Sequence, residues 1–128
     1  MGSRSNPSPI SNVCPVSLAT QLLAPTSVSV GTSRTTVATF DSRYTNIVTV
    51  QIENTDATSV FVGRVERRLD PTMSFAPTTL VDFAAVGPGE SVVADLDTQG
   101  TSEVRITGVM SDATGTVLVT ARRRSDAR

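Results

Sequence analysis

The sequence contains no histidine, no lysine and no tryptophan. Histidine is the most frequent general base in enzymes and the most frequent metal ligand, so the usual means of proton transfer and metal binding are missing. Without lysine there is no Schiff-base chemistry, no phosphate-binding P-loop lysine and no Lys–Asn isopeptide crosslink. We therefore expect a protein that is not an enzyme and that uses no cofactor.

Aromatic residues and cysteine are also scarce, with four Phe, one Tyr and one Cys among 128 residues. Five aromatic rings cannot fill a core, which has to be built from Val, Leu, Ile and Ala. The single Cys14 excludes an intrachain disulfide and fits a reducing compartment, or a particle assembled in one. With no histidine to activate it, Cys14 is a poor nucleophile, and a small apolar contact is the simpler interpretation.

The chain has little net charge and no long apolar run. Eleven Arg and 12 acidic residues give a formal net charge of −1, which provides no overall field to hold nucleic acid or an anionic membrane. No segment approaches the roughly 18 consecutive apolar residues of a membrane helix. Residues 15–24 are too short and too polar for the apolar region of a signal peptide. We expect neither nucleic acid nor membrane as a partner.

Small and β-branched residues dominate what is present, with 19 Thr, 18 Val and 15 Ser. These residue types suit a pleated, half-buried surface. The length fits one domain with one hydrophobic core. Composition and length together predict a single β-rich domain.

From Thr26 onward, short alternating segments are separated by turn residues. The clearest is 46–54, in which Val48, Val50 and Ile52 occupy one face. The predicted strands are 26–30, 35–40, 46–54, 59–69, 79–85, 91–97, 103–109 and 116–122. Such spacing predicts an all-β fold: an antiparallel two-sheet β-sandwich of seven or eight strands, immunoglobulin-like or jelly-roll in topology.

The N-terminal part differs from this pattern. Residues 1–14 are rich in Ser and Pro and follow neither strand nor helix periodicity. Residues 15–24 predict a short helix, because Pro15 suits a first helical position and Leu18 and Leu22 are four residues apart. We therefore divide the chain into an N-terminal arm (1–25), a β-sandwich domain (26–124) and a C-terminal tail (125–128). The arm is interpreted either as a plug for one end of the sandwich or as an extension that docks on a partner.

Turn motifs connect the central strands over about residues 46–110. The sequence IVTVQIENTDATSVFVGRV is followed by VGPGESVVADLD and then by SEVRITGVM. This order resembles immunoglobulin-like modules of bacterial surface and phage proteins, in which one strand ends in an Asn-Thr-Gly/Asp turn and a later one is entered through Pro-Gly-x-Ser. The Cys…Trp…Cys signature of antibody domains is missing.

In its small size, Thr/Val/Ser richness and polar arm, the chain also resembles phage head decoration, or cement, proteins. That resemblance implies a non-catalytic structural virion protein that decorates or cements a capsid and is assembled in the host cytoplasm. Its partners would be the major capsid protein and further copies of itself in a homo-oligomer. The alternative is an immunoglobulin-like adhesion or carbohydrate-binding module of a phage tail or bacterial surface protein, with Tyr44 and Phe75 as stacking rings.

Two sets of residues are predicted to contact partners. The first are apolar anchors on the arm, and the second are arginines, which favour bidentate pairing with carboxylates across interfaces. The anchors are Val13, Val16, Leu18, Leu22 and Leu23, and the arginines are Arg64, Arg67, Arg68, Arg122, Arg123 and Arg124. Alternatives for the arginines are a solvated face, phosphate contact, or charges that protect sheet edges. The uncharged segment 26–31 is a candidate for an unprotected edge that recruits another strand.

Two acidic patterns are candidates for chemistry. Asp95-Leu-Asp97-Thr-Gln-Gly100 opens like a calcium loop, but position 106, where an EF-hand needs a glutamate, is Ile. The acidic residues Asp95, Asp97, Glu103 and Asp112 lie on neighbouring segments and are candidates for an acid–base pair. A strand end and ordinary surface charge are the simpler interpretations. We therefore predict no catalytic, cofactor-binding or metal-binding residue.

Overall fold

The computed structural model describes residues 17–43 and 45–126, with side chains for all of these except 17–20, 78–82 and 124–126. The described part contains strands and no helix, which confirms the predicted all-β fold. The strands are β1 (Ser17–Val30), β2 (Thr35–Asp41), β3 (Ile47–Asn54), β4 (Phe61–Arg68), β5 (Ala76–Val86), β6 (Ser91–Asp97), β7 (Glu103–Met110) and β8 (Gly115–Asp126). No helix of the described part is long and apolar enough to cross a membrane.

The described strands form two antiparallel sheets of four. Sheet 1 has the order β1-β8-β3-β6 and sheet 2 the order β2-β7-β4-β5. The chain can be described as one long antiparallel hairpin. It pairs β1 with β8, β2 with β7, β3 with β6 and β4 with β5. Rolling such a hairpin into two packed sheets gives a jelly roll. Of the two topologies left open by the sequence, the strand order is that of the jelly roll.

The core lies between the two sheets and follows the predicted alternation. Val48, Val50 and Ile52 of β3 are completely buried. On β4, Phe61 and Val65 point into the core, as expected, and are also buried. Burial of these apolar side chains is the main source of stability, at about 25 cal/mol per Å² removed from water.

Strand β1 replaces the helix expected in the arm. That prediction is wrong for residues 17–24, which pair with β8 along a register that runs from Ser17↔Asp126 to Val30↔Gly115. Pro25 is tolerated because β1 is an edge strand and because two residues, Ala24 and Pro25, lie opposite Thr120 in a bulge. The boundary proposed between residues 25 and 26 therefore falls inside a strand.

The arginine-bearing strands are not at sheet edges. β4 lies between β7 and β5, and β8 lies between β1 and β3. The interpretation of Arg64, Arg68 and the C-terminal arginines as edge protection is therefore wrong. The segment 26–31 does lie on an edge strand of the described sheets.

Each end of the sandwich is closed by buried polar groups. At one end, the Nδ2 of Asn54 donates to the carbonyl oxygens of Ser59 and Val86, both at 2.8 Å. We call this the Asn54 end, formed by residues 31–34, 55–60, 87–90 and 111–114. The opposite end, formed by residues 42–43, 45–46, 69–75 and 98–102, is called the Leu69 end.

Candidate partner-binding surface

The predicted apolar anchors fall into three groups. Val13 and Val16 lie outside the described residues, and Leu18 lies in β1 at a position where only the backbone is described. Leu22 and Leu23 are partly buried and pack against the core of their own sandwich. These two leucines therefore stabilise β1 on sheet 1, and their contact with a partner remains a prediction.

The predicted arginines are separated into two places. Arg64 and Arg68 lie on the outer face of sheet 2, whereas Arg67 alternates to the opposite side of β4. The group at 122–124 lies on β8 in sheet 1, where the side chain of Arg122 is exposed and that of Arg123 half-buried. The two arginine groups therefore do not form one basic patch, which weakens the phosphate alternative.

Glu66 organises the outer face of sheet 2. Its carboxylate accepts hydrogen bonds from Arg64 Nη2 at 2.8 Å and from Arg105 Nε at 2.6 Å. Burial raises the pKa of Glu66, but the two guanidinium groups outweigh burial and hold that pKa below its ordinary value. The alternation correctly predicts an outward Glu66, yet its side chain is only 5% exposed because the two arginines cover it.

Phe75 and Glu103 complete this cluster beside Arg68. Arg68 donates to the Glu103 carboxylate, with Nε at 2.7 Å from Oε1. The guanidinium carbons of Arg68 and Arg105 lie 4.5 and 4.3 Å from the centre of the Phe75 ring. Since cations are attracted to aromatic faces, the ring is engaged within its own chain. The described partners of Arg68 are thus intramolecular.

The β4–β5 loop, residues 69–75, projects apolar side chains from the Leu69 end. Leu69 is 73% exposed and Met73 is 61% exposed. Sequence reasoning missed both, because it assigned Leu69 to the end of the predicted strand 59–69 and because Met73, a single apolar residue in a loop, carries no periodic signal.

Hydrogen bonds hold this loop in a fixed shape. The Asp70 carboxylate accepts from the Thr72 hydroxyl at 2.6 Å and from the Thr72 backbone N–H at 2.9 Å. These bonds lower the pKa of Asp70 from its ordinary value. Arg68 Nη1 donates to the Met73 carbonyl at 3.1 Å, which ties the tip to the end of β4. The exposed side chains therefore sit on a preorganised backbone.

A shallow depression lies beside the loop. Its volume is ≈ 480 Å³, and its lining includes Arg43, Asn46, Leu69, Pro71 and Gln99. An apolar wall beside an arginine and amide groups has the mixed composition that is typical of protein–protein interfaces.

Beneath the depression, hydroxyl groups pair in a buried network. Ser42 Oγ lies 2.7 Å from Thr101 Oγ1, and Thr45 Oγ1 lies 3.0 Å from Thr98 Oγ1. At the rim, the side chain and backbone N–H of Arg43 donate to Asp41 and lower the pKa of that carboxyl to about 2, with a smaller electrostatic contribution from Arg123. The satisfied network makes this end of the sandwich rigid.

Three of the four candidate acidic residues accept hydrogen bonds from neighbouring groups of their own chain. Asp95 accepts from the Thr49 hydroxyl at 2.7 Å, and Asp97 accepts from the Gln99 N–H at 3.0 Å. Glu103 binds Arg68, whereas Asp112 lies at the far end of β7, about 24 Å away for a strand of eight residues. Among the described residues, no three Cys, Asp or Glu side chains lie close enough together to hold a metal ion.

Comparison with known proteins gives similarity at the level of structure. No protein-family model and no curated protein matches the sequence. The SPBc2 prophage-derived protein YomS superposes with a TM-score of 0.53 and 18% identity, covering 80% of this chain and 96% of YomS. This likeness shows that the two chains share a fold.

Two further solved structures are similar at lower scores. One is described as Bacillus endospore appendages that form disulfide-linked pili, with a TM-score of 0.42, 15% identity, and coverage of 88% of this chain and 95% of that one. The other is infectious bursal disease virus strain Gx, with a TM-score of 0.40, 9% identity, and coverage of 88% of this chain and 38% of that one.

Proposed function

We propose that this chain is a non-catalytic structural protein of a phage particle, which decorates or cements the capsid through its sandwich and N-terminal arm. The observation that carries the proposal is the Leu69 end, where a rigid loop exposes Leu69 and Met73 beside a shallow depression. Exposed apolar groups on a preorganised surface favour protein–protein contact. The fold shared with a prophage-derived protein is consistent with a phage origin.

The mechanism would be passive. Each copy contributes one modest contact surface to the shell, and many copies on a symmetric lattice add their contacts together. A jelly roll with a densely packed core transmits load between such contacts without rearranging. The protein would be located in the virion, with the major capsid protein and other copies of itself as partners.

The carbohydrate-binding alternative has little support among the described aromatic residues. Phe40, Phe61 and Phe83 are buried in the core. Phe75 is engaged by two guanidinium groups. Sugar binding usually needs exposed rings on which a sugar can stack, and the described surface offers no such platform. Tyr44, the other ring predicted to stack on a sugar, lies outside the described residues.

The proposal is tested by co-sedimentation with capsid shells assembled from the major capsid protein of the same phage. The full chain should sediment with the shells, and a double variant Leu69→Ser/Met73→Ser should bind at least tenfold more weakly. A matched control is Val93→Ser, which removes an equally exposed apolar side chain (61%) from the outer face of sheet 1. If the full chain stays in the supernatant, or if both variants bind as well as it does, the proposed attachment is wrong.

The start of β1 at Ser17 determines which deletion of the N-terminal arm can be interpreted. Removing residues 1–25 would delete most of β1 (Ser17–Val30), together with Leu22 and Leu23, which pack against the core. Removing residues 1–16 leaves every described residue in place. We expect this shorter deletion to reduce shell attachment while the circular dichroism spectrum and Tm stay unchanged.

A further inference from the structure

We propose that the Leu69 end of one copy binds the N-terminal segment, residues 1–16, of a second copy. This inference rests on the proposed function and refines it, because it assigns the loop and depression to the contact between neighbouring copies on the shell. The weaker shell binding expected of Leu69→Ser/Met73→Ser then results from the loss of these contacts between copies. It depends on where β1 begins, on the surface at that end and on the chemistry of the segment.

The register of sheet 1 fixes where the segment leaves the sandwich. Ala19 of β1 and Ile47 of β3 both pair with Arg124 of β8. Ile47 also pairs with Asp97 of β6. Ile47 and Asp97 border the Leu69 end. Ser17 therefore lies two residues, or about 7 Å, beyond this level. The segment thus emerges from the same end that carries the exposed loop.

The direction of β1 favours a second copy over the segment's own sandwich. β1 is an edge strand of sheet 1 and packs beside β2, whereas the loop connects β4 and β5 on the far side of sheet 2. To reach its own loop, the segment would have to reverse and cross the end of the sandwich. A copy placed beyond that end is reached without a reversal.

The segment has the composition and the reach for this contact. It carries Ile10, Val13 and Val16 as apolar side chains and only one charged side chain, Arg4. Fully extended, 16 residues span at most about 55 Å, more than twice the roughly 24 Å of an eight-residue strand. Its prolines restrict the unbound chain, so less conformational entropy is lost when the segment is ordered.

The complementary features lie on the receiving surface. Leu69 and Pro71 line the depression together with the Asn46 and Gln99 amides, and the exposed Met73 lies on the same loop. The lining residue Arg43 is paired with Asp41, so a segment with several charges would find little opposite charge there. The nearly uncharged N-terminal segment fits this surface.

The lone cysteine provides a direct test, because Cys14 lies within the segment. One full-length protein keeps Cys14, and a second, differently tagged full-length protein carries Cys14→Ser with Met73→Cys. In this mixture, a disulfide between the two tags can form only between Cys14 of one copy and position 73 of another. The control acceptor carries Cys14→Ser with Val93→Cys, a position of the same 61% exposure on a remote face.

We expect the mixed disulfide to form at least tenfold faster with the position-73 acceptor than with the position-93 acceptor under mild oxidation. Equal rates, or no mixed disulfide with either acceptor, would overturn the proposal. A single chain carrying both Cys14 and Met73→Cys provides a further test. If it closes an internal disulfide that is independent of protein concentration, the segment folds back on its own sandwich and the proposal is wrong.

This experiment fails separately from the shell-binding experiment, because it contains no capsid. Absence of the mixed disulfide together with strong shell attachment would reject self-binding and retain the structural role. A fast mixed disulfide without shell attachment would retain self-binding and reject attachment to the capsid.

Discussion

The ring of Phe61 fills a slot that two glycines leave between β4 and β7. Gly63 and Gly108 are directly opposite each other in the β4–β7 ladder. A Cβ atom on Gly108 would lie 2.5 Å from Cζ of Phe61, and one on Gly63 would lie 2.7 Å from Cε2. The sequence correctly placed Phe61 and Gly63 on the inner face, but it gave no sign that a second glycine 45 positions later completes the slot.

This packing predicts that Gly108→Ala destabilises the protein. Because the buried ring cannot move aside freely, we expect the free energy of unfolding to fall by about 2–3 kcal/mol, as for other overpacked cores. Urea denaturation would measure the change. The matched control is Gly31→Ala, where the nearest atoms to a new Cβ are 3.9 Å away and the change should stay within about 0.5 kcal/mol. If the two variants are equally stable, Phe61 does not pack against Gly108 as tightly as described.

The two guanidinium groups on Glu66 lead to a second prediction. Replacing the carboxylate in Glu66→Gln should lower the free energy of unfolding at pH 7 by about 2 kcal/mol, since hydrogen bonds to charged groups contribute about that much. The control is Glu53→Gln, a partly exposed residue on β3 with no ion pair among the described residues.

The Glu66 carboxylate also affects how the stability of the protein depends on pH in the acidic range. Because its pKa is lowered in the folded state, its contribution is complete above the ordinary value of 4.5 and is lost as pH falls through the folded value. Stability of Glu66→Gln should therefore fall less steeply below pH 4.5 than that of the parent. If the free energy of unfolding falls equally steeply below pH 4.5 in the two proteins, the carboxylate is not stabilised as described.

Secondary structure was predictable from the sequence where its signal is local. The prediction failed where pairing with a strand distant in the sequence determines the structure. Alternation and turn residues identified the strands of 46–54 and 91–97 within a residue or two of β3 and β6. The helix signals in 15–24, namely Pro15, Leu18 and Leu22, are equally local. They lose to β8, which is about 100 residues away in the sequence and supplies a complete ladder of backbone partners.

Asn54 ends β3 and connects elements of both sheets. Its side chain donates to Ser59 and to Val86 of β5, and its Oδ1 accepts from the Asp56 N–H at 3.0 Å. Asn54→Ala leaves these buried backbone groups without partners, which should cost about 3 kcal/mol. The exposed Asn46→Ala at the opposite end is the control and should be nearly neutral. Similar urea midpoints for both variants would rule out this function of Asn54.

At the scale of the whole molecule, the sequence predicted a sandwich but not its topology. Period-two patterns tell which side of a strand faces the core, but they contain no information about which strand lies beside which. The partner-binding surface was hidden for a related reason. Leu69 and Met73 are exposed on a loop at one end of the sandwich. The jelly roll places the start of β1 at this same end, and this arrangement cannot be inferred from the sequence pattern.

The missing histidine leads to a prediction about pH. The pKa values of Asp41, Asp56, Glu66 and Asp70 are all lowered, that of Asp56 mainly by backbone N–H groups of Ser59 and Thr58. Stability should thus be lost as pH falls below about 4.5. No side chain of the imidazole type titrates nearer neutrality, so urea midpoints should stay constant between about pH 5.5 and 7.5. A midpoint that moves within this range would contradict the prediction.

The pairing of the first described strand with the last has a consequence for the order of events during synthesis. β8 is an inner strand of sheet 1, so β1 and β3 have no common neighbour until residues 115–126 have been made. A growing chain can therefore complete neither sheet 1 nor the core that it covers, and its apolar faces stay exposed in the meantime. Sheet 1 can therefore close only after β8 has been made, and chaperones or early partners would act on a chain in which β1 to β7 already exist.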